Sequence, residues 1–191
     1  MSINVQLLSP TPTASQLVAT TSGASENTDA QTKVVVLNTG GTDLKYINRT
    51  KSYGEINFYG NTTVTTVTAI ATPVVVSSIL FQLNAFSTGM TLGNNSRLIF
   101  SYSGKYLIQI SLSCFTGVNN QTIAGLIALN GNVILSTQQT SDVSSARSQN
   151  ITLSAILNIT ATNYVELYIQ NNTATNSITV SSCNIQAFIL Q

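Results

Sequence analysis

Asp142 and Glu166 are the two carboxylates that follow Glu55, and their scarcity limits the chemistry open to this chain. Two carboxylates can cleave a glycoside when one gives a proton and the other attacks or activates water. None of the six acidic residues, however, pairs with another at a helical or strand spacing suited to acid–base work. Solvated rim charges are the simpler reading of Asp142 and Glu166. The chain has no histidine, which removes His-based triads, the usual zinc sets and most general bases near neutral pH. Cys114 lies inside an apolar run and Cys183 opens the last one. Neither has a basic neighbour in sequence to lower its pKa, so both read as small buried apolar side chains. Two cysteines define no disulfide framework. Gly40-Gly41 and the "GNN" at 93–95 are turns and do not resemble a phosphate-cradling loop. The expectation is a non-enzyme with no catalytic residue, no metal and no cofactor.

Binding chemistry is equally sparse. A net charge of +1 gives no electrostatic footprint for nucleic acid. Tyr53, Phe58 and Tyr59 do not interleave with basic residues as a base-stacking platform does. The opening "MSINVQLLSPTPTASQLVATTSGAS" has no basic leader and no unbroken apolar run, so neither a signal peptide nor a membrane span is expected. Asn-x-Ser/Thr triplets begin at Asn48, Asn61, Asn94, Asn120, Asn150, Asn158 and Asn171. In a chain this rich in Asn and Thr they read as turn and strand residues, not glycan acceptors.

The elements that carry these residues follow from composition. Only 7% of the 191 residues are charged and 43% are hydrophobic, whereas an average soluble protein is about 25% charged. Thr, Ser and Asn fill the difference, a balance that suits strands and tight turns and excludes a helical bundle. Charge is also uneven. Glu26, Asp29, Lys33, Asp43, Lys45, Arg49, Lys51 and Glu55 fall early, and only Arg97, Lys105, Asp142, Arg147 and Glu166 follow. The shift marks a boundary near residue 52, giving an extended N-terminal arm over 1–52 and a β-sandwich over 53–191. So little surface charge is a solubility hazard for a free monomer and fits a subunit that works assembled.

In the arm, "INVQLLS" and "KVVVLN" can each pair as a strand, separated by a Ser/Thr/Ala-rich stretch. It reads either as a flexible tail or as an arm ordered by laying strands on a neighbour. The second reading makes Ile3, Val5, Leu7, Val34 and Val36 contact residues. Lys45, Arg49 and Lys51 form a small basic cluster at the junction, either a solvated hinge or a contact for an acidic patch.

From Tyr53 on, about ten short strands succeed one another: "GEINFYG", "TVTTVTA", "VVVSSILFQ", "RLIFSYS", "KYLIQISLSCF", "TIAGLIALNG", "NVILSTQQT", "NITLSAILNIT", "YVELYIQ" and "CNIQAFILQ". Asn130-Gly131, Gly93-Asn94 and "QNNTATNS" supply turns. Ten strands are too many for one flat sheet, so an all-β jelly roll of two packed sheets is expected. The stretch 97–115, "RLIFSYSGKYLIQISLSCF", reads as one long strand interrupted at Gly104. Tyr106, Ile108, Ile110, Leu112 and Cys114 point to one face, and Leu107, Gln109, Ser111, Ser113 and Phe115 to the other. The second face is too apolar at its ends for free solvent and too polar for a core, as in a subunit interface.

From about Leu92 to Gln191 the order of features resembles the trimeric jelly-roll superfamily of tumour necrosis factor and the complement-type globular heads. "RLIFSYSGKYLIQISL" is similar to that family's strand, Gly-x-Tyr, strand segment, with Gly104 and Tyr106 in place. "LIALNGNVI" resembles the hairpin that follows, "ITLSAILNITATNYVELYI" the next one, and "CNIQAFIL" the last strand. Two positions depart: Thr162-Asn163 stands where many members have Gly-Asp, and Ala187 where a Gly is expected. The Thr/Asn-rich texture is closest to heads of spore surfaces and tailed-phage particles, and "YGEINFYGNTTVTTVTAIATPV" has the look of phage virion proteins.

The resemblance implies a homotrimer packed around a three-fold axis by one sheet. Tyr106, Ile108, Ile110 and Leu112 would face the core, with Phe188 and Leu190. Leu107, Gln109 and Ser111 would face the axis, joined by Ile185, Ala187 and Ile189. An ordinary sandwich with both faces covered by loops is the alternative. The function implied is structural: a capsid decoration (cement) protein on the capsid exterior of a tailed phage. Its partners would be itself and the major capsid protein, held by the arm, with no nucleic acid and no membrane. A receptor- or glycan-binding head of a fibre or appendage is the rival, though 1–52 holds neither the Gly-x-y triplets nor the heptads of a shaft. A spore- or cell-surface head or a secreted ligand is a further rival.

Overall fold

The computed structural model describes residues 3–7, 17–21, 31–37, 44–76, 81–145 and 147–190, those before residue 51 as backbone strands only. The chain divides into two units, Met1–Lys51 and Ser52–Gln191. Among the described residues there is no helix.

In the first unit β1 (Ile3–Leu7) pairs antiparallel with β2 (Leu17–Thr21), and β3 (Gln31–Leu37) with β4 (Leu44–Thr50). Each pair is a two-stranded sheet. The two apolar runs of the arm therefore find partners within their own chain.

The second unit is a sandwich of two antiparallel sheets. Its strands are β5 (Tyr53–Tyr59), β6 (Val64–Thr65), β7 (Val74–Val75), β8 (Gln82–Leu83), β9 (Met90–Gly93), β10 (Arg97–Phe100), β11 (Gly104–Thr116), β12 (Gln121–Leu129), β13 (Asn132–Val143), β14 (Gln149–Ile159), β15 (Tyr164–Asn171) and β16 (Ile178–Ile189). One sheet runs β14-β11-β16-β5-β8, with β6 on β16, and the other β13-β12-β15-β10-β9, with β7 on β15. From β10 on, the chain passes repeatedly between the sheets, which is the jelly-roll pattern. "TVTTVTA" and "VVVSSILFQ" are mostly loop: only Val64–Thr65, Val74–Val75 and Gln82–Leu83 pair, and 77–80 lie outside the described residues.

Residues 97–115 are not one strand. β10 lies in the second sheet and β11 in the first, so the chain changes sheets between them. The corner is held by Ser101 N–H donating to Gly89 O at 2.9 Å and by Tyr106 Oη donating to Tyr102 O at 3.0 Å. The Phe100 and Tyr106 rings meet edge to face beneath it, 4.7 Å apart. Gly104 opens β11 where a Cβ would stand 2.9 Å from Ile189 Cδ1.

Every second residue of β11, from Tyr106 to Cys114, is buried between the sheets. Ile56, Leu153 and Ile185 share that face, opposite Phe100, Ile127 and Leu167. Burial of each large aliphatic side chain stabilises by about 1.5–3 kcal/mol.

Asn130 and Gly131 adopt φ of 52° and 78°, as the tight β12–β13 hairpin requires. The β-bulge near Gly125 is patched by Thr137, whose Oγ1 accepts from Ile127 N–H at 2.9 Å and donates to Ile134 O at 2.7 Å. In "QNNTATNS" the buried Asn171 is the anchor. Its Oδ1 accepts from Thr173 and Ala174 N–H, and its Nδ2 donates to Gln121 Oε1 and Asn176 O.

Thr162 has a φ of 74°, a left-handed conformation that β-branched residues rarely adopt. Four hydrogen bonds hold the turn: Thr162 N–H to Phe100 O at 2.7 Å, Asn163 N–H to Thr160 O at 3.0 Å, Thr160 N–H to Asn163 Oδ1 at 2.9 Å and Ala161 N–H to Ser103 Oγ at 2.9 Å. Asn163 and Ser103 thus supply side-chain acceptors to this turn, while Thr162 bears the strain. Such strain costs about 1–3 kcal/mol, and glycine's extra unfolded-state freedom returns about 0.5–1 kcal/mol of it. Thr162→Gly is expected to raise stability by about 1 kcal/mol in urea unfolding; an unchanged or lower midpoint would show that the turn is unstrained.

Candidate assembly surface

β5, β16, β11 and β14 lie side by side, and their registers set the outward side chains in rows. Residues directly opposite in antiparallel strands project to the same face. One row reads Tyr53, Phe188, Leu107, Ile156. The next reads Glu55, Gln186, Gln109, Ser154, then Asn57, Asn184, Ser111, Thr152, and last Tyr59, Ser182, Ser113, Asn150. The first row is apolar throughout and solvent reaches it: Ile156 is 63% exposed, Phe188 42% and Tyr53 38%. The exposed Phe86 joins Tyr53 and Phe188 around a 90 Å³ cleft. The remaining rows are polar, with one carboxylate among them. Glu55 accepts from Asn57 Nδ2 at 3.0 Å and from Gln186 Nε2 at 3.2 Å.

Leu107, Gln109 and Ser111 stand on this outward face. The last strand is the reverse of the expectation. Ile185 and Ala187 are fully buried and Ile189 packs against the core, whereas Phe188 and Leu190 are exposed. The reason is register: Ile110 pairs with Ile185, Ile108 with Ala187 and Tyr106 with Ile189, so these share the core face. Gln186 and Phe188 occupy the outward positions beside Gln109 and Leu107. Both parities of this strand carry apolar residues, so alternation alone did not decide between them; pairing with β11 does. Of these outward residues the sequence did not single out Ile156, named Tyr53 only among the aromatics tested for base stacking, and placed Phe188 in the core. The signal was present in the cross-strand alignment of four segments, not in any one.

Ile3, Val5 and Leu7 fall in β1, Val34 and Val36 in β3, and Lys45 and Arg49 in β4. Their side chains lie outside the described residues. Lys51 follows β4 and is exposed.

The carboxylates form no dyad. Asp142 is paired with Thr122 and Glu166 with Ala128, six positions along β12. At about 3.4 Å per residue this is roughly 20 Å, against about 5–9.5 Å in glycosidase pairs. Asp142 Oδ1 accepts from Thr122 Oγ1 at 2.7 Å. Glu166 is buried, only 3% exposed, and its Oε1 accepts from Arg97 Nε at 2.8 Å. That bond raises the Arg97 pKa above its ordinary value, and the guanidinium also lies 4.2 Å from the centre of the Tyr164 ring. No group of three His, Cys, Asp or Glu side chains that could hold a metal occurs among the described residues.

No protein-family model matches the chain, and no curated protein does. Solved structures do share its fold. Murine APRIL aligns over 74% of this chain and 100% of its own, at 11% identity and a TM-score of 0.52. PRD1 vertex protein P5 aligns over 97% of this chain and 93% of its own, at 16% identity and a TM-score of 0.50. Eiger TNF from S. frugiperda aligns over 73% and 94%, at 17% identity and a TM-score of 0.49. The sandwich therefore shares its fold with murine APRIL and with PRD1 vertex protein P5.

Both cysteines are free and buried. Burial pushes the Cys114 thiol from 9.0 up to about 12, and the Cys183 thiol higher still. Neither is expected to react with a thiol reagent in the native protein, while both react after denaturation. Because the unfolded thiols ionise first, their burial contributes stability that is lost as pH rises above the ordinary thiol range. The variant Cys114→Ala/Cys183→Ala should lose less stability than the parent between about pH 8 and pH 10. Equal losses would place the thiols in solvent.

Proposed function

We propose that the protein is a non-enzymatic structural component of a virion, a homotrimer that decorates the capsid exterior and cements neighbouring capsomers. The apolar row Tyr53, Phe188, Leu107, Ile156, exposed on an otherwise polar sheet, is the observation that carries self-association. Exposed aromatics set in line with aliphatic side chains are typical anchors of protein interfaces. The resemblance to the tumour necrosis factor jelly rolls supports three copies, packed by this sheet around an axis. Leu107, Gln109 and Ser111 then belong to the trimer interface, and Ile185, Ala187 and Ile189 support it from the core.

The virion assignment draws on the sparse charge of the sandwich, the N-terminal unit and the fold shared with a vertex protein. The two hairpins of the first unit are the means of attachment. A two-stranded hairpin is marginal by itself in water, and its outer edges are open to strand addition by the major capsid protein. In this scheme Ile3, Val5, Leu7, Val34 and Val36 belong to the pairing strands. Lys45, Arg49 and Lys51 lie at the junction, where an acidic patch could meet them. Trimerisation presents three such units together, so each contact need contribute only a few kcal/mol.

Sedimentation equilibrium of the full chain is expected to give about 61 kDa, three times the 20.3 kDa protomer. Ile156→Asp and Phe188→Asp should each shift it towards 20.3 kDa, because a buried carboxylate opposes the apolar contact. A monomeric parent would end the trimer reading. Quantitative mass spectrometry of purified particles is expected to find the chain in numbers comparable to the shell protein. A handful of copies would favour a fibre or tail-tip head, and absence would remove the virion role.

A further inference from the structure

We propose that the polar half of this sheet face holds a binding site for a neutral saccharide. Between β5, β16, β11 and β14 lies an open cavity of 460 Å³, large enough for a sugar ring and its substituents. Asn57, Asn150, Asn184, Ser111, Ser113, Thr152 and Ser182 supply its polar side chains, and no charged residue lines it. An anion or cation would therefore be desolvated there without a counter-charge, which is costly. A neutral ligand with many hydroxyls would not.

Three further features point the same way. Apart from Asn57, which is bonded to Glu55, these polar side chains make no side-chain hydrogen bond with the described residues, so their donors and acceptors are uncommitted. Asn184 Oδ1 is a buried acceptor without a partner among the described residues. Leaving such an atom unsatisfied is unfavourable, and a turn of the Asn184 side chain towards the cavity would let a ligand hydroxyl pair with it. In the last row of this face, Tyr59 stands opposite the cavity residue Ser182 in the register and is 90% exposed. A phenol ring offers a flat apolar surface with a polar tip, suited to the C–H face of a pyranose whose hydroxyls turn to the amides. Pockets that combine a stacking surface with a few uncommitted polar groups are the usual form of small-ligand sites.

Ser111 is common to this cavity and to the proposed trimer contact, so the site rests on a trimer that meets at its apolar row and leaves the polar rows wet, and the two readings are separated by their measurements. Saturation-transfer-difference NMR on the full chain, with glucose, galactose, mannose and N-acetylglucosamine as probes and glycerol as control, tests it. At least one sugar is expected to show ring C–H signals above glycerol. Affinity should fall at least tenfold in Tyr59→Ser and in Asn184→Leu. Asn184→Leu removes an unsatisfied amide, so it should unfold no earlier than the parent. No signal above glycerol, or signals undiminished in both variants, would overturn the proposal. If the parent sediments as a trimer and binds no sugar, a second copy or water fills the cavity and only the saccharide site is lost. Binding by a monomer would overturn the assembly reading instead.

Discussion

The alternate burial of Tyr106, Ile108, Ile110, Leu112 and Cys114 along β11 is the constraint on which the sandwich depends. β11 is flanked on both sides, pairing with β14 from Gly104 to Cys114 and with β16 from Tyr106 to Thr116. Once its core parity is set, the parity of both neighbours is fixed, because a slip of one residue would turn every side chain over. β16 passes the same phase on to β5. Four strands are thus committed by one stripe. The outward rows, apolar at one end and amide- and hydroxyl-rich at the other, are a consequence of the same choice.

That dependence shows what could be read from the sequence and what could not. The two faces of β11 were legible because one is uniformly apolar and the other mixed. The faces of β16 were not, since Ile185, Ala187 and Ile189 alternate with Phe188 and Leu190 and both sets satisfy an apolar pattern. A large phenylalanine draws the core assignment to itself, yet register gives the place to Ala187, opposite Ile108. The break between β10 and β11 was legible at Gly104. The change of sheet there was not, because it is set by hydrogen bonds to Gly89 and Asn163, which are distant in sequence. Asn130-Gly131 was legible because a tight hairpin needs positive φ and those residues supply it cheaply. Thr162 was not, because nothing in a β-branched residue announces a φ of 74°.

Charge behaves differently in the two halves of the problem. The sparse carboxylates of the sandwich raise the question of chemistry, and the geometry gives each a structural partner instead. Glu166 has Arg97, Glu55 has two amides and Asp142 has a threonine hydroxyl. A buried carboxylate is tolerable only when such bonds offset its lost hydration. Neutral amides do not cancel a charge, so the outward face of the first sheet keeps Glu55 and the exposed Lys105, one charge of each sign, and has little net field.

A face of that kind cannot select a partner by steering, since selection at a distance needs a field. It must select at contact, by fit of apolar groups and by the pairing of uncharged donors and acceptors. The two halves of the face divide these tasks. Tyr53, Phe188, Leu107 and Ile156 supply apolar area that gains from any complementary surface. The Asn and Ser rows gain only from a partner that pairs them, because each amide or hydroxyl removed from water unpaired costs more than a made bond returns. Closure over the polar half is therefore unfavourable unless water or a hydroxyl-rich ligand remains between the surfaces. The division predicts an assembly that is tight where the sheet is apolar and wet where it is not, with Glu55 and its two amides marking the boundary between them.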